Sequence, residues 1–249
     1  MNERIRVLAV LFPGVTQLDL TGPVQVFAAL PGVSVELAWH RLEPVPVDCG
    51  FSILPTTTFA EAGRADVLLV PGGAGALELM ADEAALEFVR AQSEGARFVT
   101  SVCTGAFVLG AAGLLAGRRA TTHWASLEML RLLGARPVRA RVVRDGPLVT
   151  SGGVTGGIDF ALQLAAELLG EEEARRAQLR LEYDPRPPFD AGGPDRPQTD
   201  RAHAEAFRDR VRRERLPLVR RAAERLAQRP RPPAGPAGPG PTRPGPIRT

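Results

Sequence analysis

Residues 97–109 read RFVTSVCTGAFVL, and this stretch decides the fold. Its first half is an apolar, partly β-branched run that is typical of a buried strand, and Thr104 to Leu109 suits a helix. Cys103 therefore lies at a predicted strand-to-helix turn. The first turn of a helix presents unpaired N–H groups and the positive end of its dipole, so we expect a lowered pKa for this thiol.

Two interpretations of Cys103 compete. Free cysteine is among the most buried residue types and usually packs as a small hydrophobic side chain. The strand-Cys-Thr-Gly-helix context favours a nucleophile instead, because Gly105 removes a Cβ from the approach to the sulfur. A positioned acid or base elsewhere in the chain would complete that assignment.

Strand-like runs alternate with helical patterns along the chain. Ile5 to Phe12 and Asp66 to Val70 are continuously apolar, as strands of a parallel sheet are, and 155–170 and 171–181 read as helices. This alternation predicts an α/β fold with a doubly wound, mainly parallel sheet flanked by helices, as in flavodoxin. Further elements are predicted in sequence order: a helix beginning near Gly22-Pro23, a strand at Val33–His40, a short hairpin at Val45–Leu54, a helix at 82–92 and a hairpin at Val142–Thr150.

The loops after three predicted strands carry residues suited to chemistry. Asp19 follows the first strand, Gly72-Gly73 follow the strand that ends at Val70, and Cys103 follows the third. Open α/β sheets place working residues at these strand ends, and a glycine pair is either a simple turn or a set of N–H donors for an anion. Thiol, carboxyl and donors together predict an acyl-transfer-like site, with Asp19 protonated beside a thiolate.

Composition excludes several functions. Two cysteines and three scattered histidines give no metal-ligand spacing, and all 31 basic residues are arginine, which excludes lysine Schiff-base chemistry. No apolar run is long enough to span a membrane, and the first strand follows the N-terminus without a cleavage site. We therefore expect no metal, no membrane and a cytoplasmic protein with free thiols.

The chain divides into three predicted parts. Residues 1–198 form the catalytic domain, 199–229 an Arg-rich helical extension interrupted near Pro217, and 230–249 a disordered tail rich in Pro and Gly. Residues 201–249 hold 13 arginines and four acidic residues, whereas the whole chain has a net charge of +3. The basic charge therefore belongs to the C-terminal region.

Five segments together resemble the DJ-1/PfpI superfamily, from residue 5 to about 190. Within it the chain is most similar to the isonitrile (cyclohexyl isocyanide) hydratases, which also carry Asp at the position of Asp19. The segments are QLDLTGP (17–23), VLLVPGGAG (67–75), TSVCTGAFVLGAAGLLAGRRATTHW (100–124), VTSGGVTGGIDFAL (149–162) and EYDPRPPFDAGGP (182–194).

The resemblance implies a fold like that of DJ-1 and the class I glutamine amidotransferases, and roles for individual residues. Cys103 would be the nucleophile, Asp19 the general acid and base, and Thr104 a hydrogen-bonding neighbour of both. Backbone N–H groups of Gly72, Gly73 and Thr104 would contact substrate or an oxyanion. The implied enzyme is a cysteine-dependent hydro-lyase that converts an isonitrile to an N-substituted formamide through a thioimidate, with no cofactor, as a homodimer.

Alternatives remain open. Peptidases of the superfamily carry His directly after the nucleophile, where this chain has Thr104. His123 and Trp124 are possible pocket residues, and for His123 an ordered structural role is an alternative to catalysis. Another DJ-1-like activity of glyoxalase or amidase type, or the DJ-1-like domain of a transcription regulator, is the other functional alternative. Residues 201–229 are too short for a tandem helix-turn-helix module, so we expect no nucleic acid partner.

Overall fold

The computed structural model describes residues 4–229, and a seven-stranded sheet forms its centre. The strands of these residues are β1 (Ile5–Val10), β2 (Val33–Trp39), β3 (Val45–Pro46), β4 (Ser52–Ile53), β5 (Thr57–Thr58), β6 (Val67–Val70), β7 (Phe98–Val102), β8 (Arg119–Ala120), β9 (Arg136–Pro137), β10 (Val142–Asp145) and β11 (Leu148–Ser151).

The sheet has the order β10-β11-β7-β6-β1-β2-β5. All neighbours are parallel except β10 and β11, which form an antiparallel hairpin at one edge. From β1 the chain first runs outward through β2, then returns to β6 on the other side. This reversal is the point at which doubly wound sheets open a crevice for ligands. The predicted α/β class is confirmed.

Helices flank the sheet in two groups. The helices are α1 (Gln17–Ala28), α2 (Gly75–Leu79), α3 (Glu83–Gly95), α4 (Gly105–Ala111), a 3₁₀ helix (Trp124–Leu133), α5 (Gly156–Leu169), α6 (Glu171–Arg180) and α7 (Arg201–Gln228). In one group, α5 contacts both α1 and α6. The other contains α2, α3, α4, the 3₁₀ helix and α7.

The central strands are buried on both faces. Val7 to Val10 of β1 and all of β6 are fully covered, as the apolar runs predict for a parallel sheet. The predicted hairpins around Cys49-Gly50 and Asp145-Gly146 are both present, as β3–β4 and β10–β11. Apolar runs and local turn residues were therefore sufficient to predict these strands and hairpins.

Two helices differ from the predictions for the same reason. α1 begins at Gln17 instead of near Gly22, so Asp19 lies in the first helical turn and not in a loop. α7 continues through Pro217 without interruption. Proline removes one helical hydrogen bond, but apolar side chains on both sides of each proline are buried, and that burial outweighs the loss.

The remaining differences concern short elements and the chain ends. α2 and the 3₁₀ helix were not predicted, because five residues and a mixed polar pattern give little periodic signal. The predicted helix at 201–229 is present as α7. The predicted disordered tail, 230–249, lies outside the described residues.

Candidate active site

Cys103 occupies a strained turn between β7 and α4. Its φ of 53° lies in the left-handed region, which non-glycine residues adopt rarely. The backbone is fixed by its hydrogen bonds: the N–H donates to the carbonyls of Ser151 (3.1 Å) and Gly152 (3.0 Å), and the carbonyl accepts from Thr122 Oγ1 at 2.6 Å. A side chain held in such a conformation by its surroundings is typical of a functional site.

Gly72 lies between the three groups that the sequence singled out. A Cβ built on Gly72 would lie 2.5 Å from Asp19 Oδ2, 2.7 Å from Thr104 N and 2.8 Å from Cys103 Cβ. The Asp19 carboxyl and the Cys103 side chain therefore both lie against the Cα of Gly72, and a single methyl group there would contact both. The structure brings Asp19 and Cys103 together although 84 positions separate them in the sequence.

Asp19 is fully buried at the start of α1. Its Oδ2 accepts a hydrogen bond from Gly72 N–H at 3.1 Å, whereas Oδ1 has no partner of good geometry among residues 4–229. Burial raises the pKa of Asp19 to about 7, against the opposing effects of the Cys103 and Gly72 hydrogen bonds. The charge of Asp48 raises this pKa further.

The Cys103 thiol is also buried, with 7% of the residue exposed. Burial raises its pKa to about 12, and the charge of Asp19 acts in the same direction. The Thr104 N–H and the Arg215 guanidinium lower the pKa by less than burial raises it. The predicted lowering of the thiol pKa is therefore wrong, because the sequence indicated the helix terminus but not the desolvation.

At neutral pH these two acids hold their protons unequally. The thiol retains its proton because its pKa is raised well above 7, whereas the raised pKa of the Asp19 carboxyl, about 7, allows this group to gain or lose a proton near neutral pH. The predicted thiolate is therefore not favoured in the resting protein, whereas the raised pKa of Asp19 agrees with the predicted tendency of this carboxyl to stay protonated. Asp19 Oδ1 is the oxygen free to receive a proton from the sulfur.

Thr104 holds the glycine loop that follows β6. Its Oγ1 accepts from Gly73 N–H at 2.8 Å and donates to the Gly73 carbonyl at 2.9 Å. The N–H groups of Gly72 and Gly73 are therefore both occupied, which does not fit their predicted use as free oxyanion donors. Thr104 contributes its own N–H toward the Cys103 sulfur, so only this predicted donor faces the nucleophile.

His123 begins the 3₁₀ helix, and its Nδ1 accepts from Ala125 N–H at 3.3 Å. Burial and the nearby Arg215 charge lower the pKa of His123 to about 4, so the ring is neutral at pH 7 and carries its proton on Nε2. A Cβ built on Gly153, next to the carbonyl that binds Cys103 N–H, would lie 3.0 Å from this ring.

His123 and Trp124 face a cavity of about 420 Å³. Its other walls come from the loop at 191–200 and from α7, whose Phe207 stacks on Trp124 at a ring distance of 5.6 Å. His123 thus lies between this cavity and the loop at Gly152-Gly153, which binds the Cys103 N–H, and Trp124 lines the cavity.

Sequence reasoning missed the contribution of α7. Its buried residues, Ala204, Val211, Val219 and Ala222, follow helical spacing and mark the face that packs against the 3₁₀ helix. Arg215 lies four residues from Val211 and from Val219 and thus shares that face. The same spacing, read along 201–228, was the available signal that one arginine of this helix points inward.

Residues 4–229 contain no group of three or more side chains able to hold a metal ion. In the same range, no helix is both long enough and apolar enough for a membrane span.

Comparison with known proteins identifies the family. Residues 5–167 match the DJ-1/PfpI family, and the chain belongs to it. A protein of Pseudomonas putida named isonitrile hydratase is 60% identical over 185 residues, which cover 74% of this chain and 81% of that protein.

Solved structures agree with this assignment. A ThiJ/PfpI family protein from Pseudomonas syringae has a TM-score of 0.82 and 39% identity, and the match covers 90% of this chain and 91% of that one. Drosophila melanogaster DJ-1β has a TM-score of 0.66 and 27% identity, and that match covers 72% of this chain and 97% of that one. The broader match to the bacterial structure extends into α7, because residues 1–198 make up only about four fifths of the chain.

Proposed function

We propose that this DJ-1/PfpI family member is an isonitrile hydratase-like enzyme, a hydro-lyase that combines an isonitrile with water to form an N-substituted formamide. The observation that carries this proposal is the meeting of the Asp19 carboxyl and the Cys103 thiol beside Gly72. The similarity to the Pseudomonas putida protein supports the substrate class.

The first half of the reaction adds the thiol across the isonitrile carbon. This terminal carbon has carbene character and is electrophilic toward sulfur. Asp19 Oδ1 accepts the thiol proton as the Cys103 sulfur bonds to the carbon, and Asp19 then delivers that proton to the same carbon. The product is a thioimidate, S–CH=N–R, with Asp19 ionised again.

The second half hydrolyses this intermediate. Asp19 removes a proton from a water molecule as the water oxygen bonds to the thioimidate carbon, and Asp19 then passes this proton to the nitrogen. Asp19 next takes the proton of the resulting hydroxyl as the carbonyl forms and the carbon–sulfur bond breaks, and it returns that proton to the sulfur. The formamide R–NH–CHO leaves, and the free thiol and carboxylate are restored without a cofactor.

Neighbouring groups assist the two side chains that become charged in this cycle, the Cys103 thiol and the Asp19 carboxyl. The Thr104 N–H stabilises the sulfur as it becomes anionic, because it already lowers the pKa of the Cys103 thiol. The Gly72 N–H holds Oδ2 and thereby leaves Oδ1 for proton transfer. His123, neutral with a proton on Nε2, lines the cavity and has no proton-transfer step in this scheme.

The cellular setting belongs to the same proposal. Cys49 is exposed, Cys103 is buried, and both are free thiols, which fits a reducing compartment such as the cytoplasm. A homodimer is proposed from the family resemblance. Residues 1–198 are proposed as the DJ-1/PfpI-like domain, with 199–229 as its helical extension.

The alternatives receive less support. Thr104 stands where a peptidase of this superfamily would carry histidine, and its hydroxyl is already engaged by Gly73. A DNA-binding role for 201–229 is not favoured, because this segment is one helix whose apolar face is packed against the 3₁₀ helix. A glyoxalase or amidase activity would use the same cysteine but a carbonyl substrate.

The test is direct. Purified protein is incubated with cyclohexyl isocyanide, and N-cyclohexylformamide is followed by proton NMR. We expect formation of the formamide by the wild type and by Cys49→Ser, and none by Cys103→Ser with an unchanged circular dichroism spectrum. Full activity of Cys103→Ser would overturn covalent catalysis, and an inactive wild type that reacts with carbonyl substrates would overturn the isonitrile assignment.

A further inference from the structure

The C-terminal helix α7 forms one wall of the cavity beside His123 and Trp124 and packs against the 3₁₀ helix. Phe207 contacts the rings of His123 and Trp124 at centroid distances of 6.0 and 5.6 Å. Further along the same face, Arg215 Nη1 donates to Ser126 Oγ at 2.9 Å. The helix therefore adds a cation as well as an apolar wall to the segment 123–126.

Arg215 differs from most arginines of this helix. Arg212, Arg213 and Arg220 are exposed, whereas Arg215 is half-buried. No carboxylate of residues 4–229 forms an ion pair with its guanidinium, which donates instead to the neutral hydroxyl of Ser126. A desolvated cation without a carboxylate partner is costly, which indicates that its charge serves another group.

A continuous set of contacts joins Arg215 to the nucleophile. Ser126, its anchor, is buried, and its N–H donates to the His123 carbonyl at 2.9 Å. The preceding residue, Thr122, donates through Oγ1 to the Cys103 carbonyl at 2.6 Å. The segment 122–126 therefore fixes the guanidinium relative to the turn that carries the sulfur.

We propose that Arg215 is a positioning residue of the active site: held by Ser126, its guanidinium stabilises the Cys103 thiolate at the moment the thiol proton passes to Asp19. This inference rests on the proposed function for its place in the cycle. The proposal gives the C-terminal helix α7 an electrostatic role in catalysis that residues 1–198 do not supply.

The charges around the sulfur fit this role. Asp19 on α1 disfavours the thiolate, while Arg215 on α7 favours it, and His123 is neutral. Burial lowers the pKa of Arg215, and the Cys103 and Glu214 charges oppose that change. Arg215 is thus the cation that acts on the thiol, and it compensates part of the repulsion that would arise if Asp19 and the sulfur were both ionised.

The experiment measures the thiol without any isonitrile. All proteins carry Cys49→Ser, so that iodoacetamide, a neutral reagent, reports only on Cys103. Second-order alkylation rates are measured from pH 7 to 10 for this background and for Arg215→Gln, Arg215→Lys, Ser126→Ala and Arg220→Gln. Arg220 is exposed on the same helix and serves as the matched control.

We expect Arg215→Gln to react about tenfold more slowly at each pH, since one pKa unit changes the thiolate fraction tenfold. Arg215→Lys should restore the rate to within about threefold, because it keeps the charge. The alkylation rate of Ser126→Ala should lie between those of Arg215→Gln and Arg215→Lys, and the rate of Arg220→Gln should equal that of the background. A merely structural arginine would leave the Gln and Lys variants equally slow.

Two results would overturn the proposal: equal rates for Arg215→Gln and the background, or equal slowing by Gln and Lys. If thermal melting shows that Arg215→Gln does not fold, the test rests on Ser126→Ala. An alkylation rate of Ser126→Ala equal to that of the background would then overturn the proposal. Failure of the hydratase assay would not affect this reading, because alkylation requires only the thiol.

Discussion

The Thr104 hydroxyl accepts a hydrogen bond from the Gly73 N–H at 2.8 Å and donates one to the Gly73 carbonyl at 2.9 Å. One side chain from the start of α4 thus satisfies both backbone groups of a glycine in the loop after β6. Gly72 directly precedes Gly73 and donates a hydrogen bond to Asp19, so the threonine fixes the position of the carboxyl indirectly, through this loop.

Thr104→Val should separate the effect of the hydrogen bonds between Thr104 and Gly73 from the effect of side-chain volume. Valine has a similar shape but leaves the Gly73 N–H without a partner, while the Gly73 carbonyl keeps its hydrogen bond from Ala76 N–H. We therefore expect a loss of about 1–3 kcal/mol of unfolding free energy. Turnover should fall at least about tenfold, since a displaced Asp19 transfers protons poorly. Urea unfolding and the formamide assay measure the two effects.

The matched control for that variant is Thr104→Ser, which keeps the hydroxyl and should lose no more than about 1 kcal/mol. Equal stability of the Val and Ser variants would show that the two hydrogen bonds to Gly73 contribute little.

Gly72→Ala should damage the site more than the fold. The new methyl group would meet Asp19 Oδ2 and Cys103 Cβ at distances that real side chains do not tolerate, so one of these groups must move. We expect turnover to fall by about 100-fold, as for a displacement of roughly 1 Å, with a stability loss of about 1–3 kcal/mol.

Gly192→Ala is the control for this substitution, because a Cβ on Gly192 meets no atom within 4 Å. Because Gly192 lines the cavity beside His123, this control addresses stability, and its melting temperature should equal that of the wild type. Wild-type turnover in Gly72→Ala would mean that the contacts around this glycine are not needed for the chemistry.

Asp19→Asn should change how stability depends on pH. The folded-state pKa of about 7 exceeds the ordinary value of 3.8, so folding favours the protonated carboxyl. Its contribution is fully present below about pH 4 and is lost as the pH rises through 7. Between pH 5 and 8 the wild type should therefore lose about 2–3 kcal/mol relative to Asp19→Asn, which has no carboxyl to ionise.

Unfolding by urea at pH 5, 6, 7 and 8 measures this difference for both proteins. The advantage of the asparagine variant should grow with pH. A constant difference across the series would contradict the raised pKa of Asp19. A difference that shrinks with pH would indicate that folding lowers this pKa.

The sequence allowed prediction of the turn at Cys103, because its signals are local. An apolar strand run, a small residue after the nucleophile position and a helix-forming segment all lie within 13 residues. The carboxyl end of β1 was also assigned correctly as the place of Asp19, although the residue belongs to the first turn of α1.

Other features depend on contacts that no local pattern contains. The raised pKa of the Cys103 thiol follows from burial by distant segments, which outweighs the helix terminus that the sequence indicates. The inward direction of Arg215 follows from the packing of α7 on the 3₁₀ helix, and composition alone described this helix as uniformly basic. Both require knowledge of which elements meet.

The position of α7 in the chain has a consequence during translation. All strands of the central sheet precede residue 152, whereas the helix that carries Phe207 and Arg215 is synthesised about 50 residues later. A nascent chain can thus assemble its sheet with the Cys103 turn still uncovered. Thiol reagents in the cell would reach that sulfur more easily in the unfinished polypeptide than after the last helix has docked.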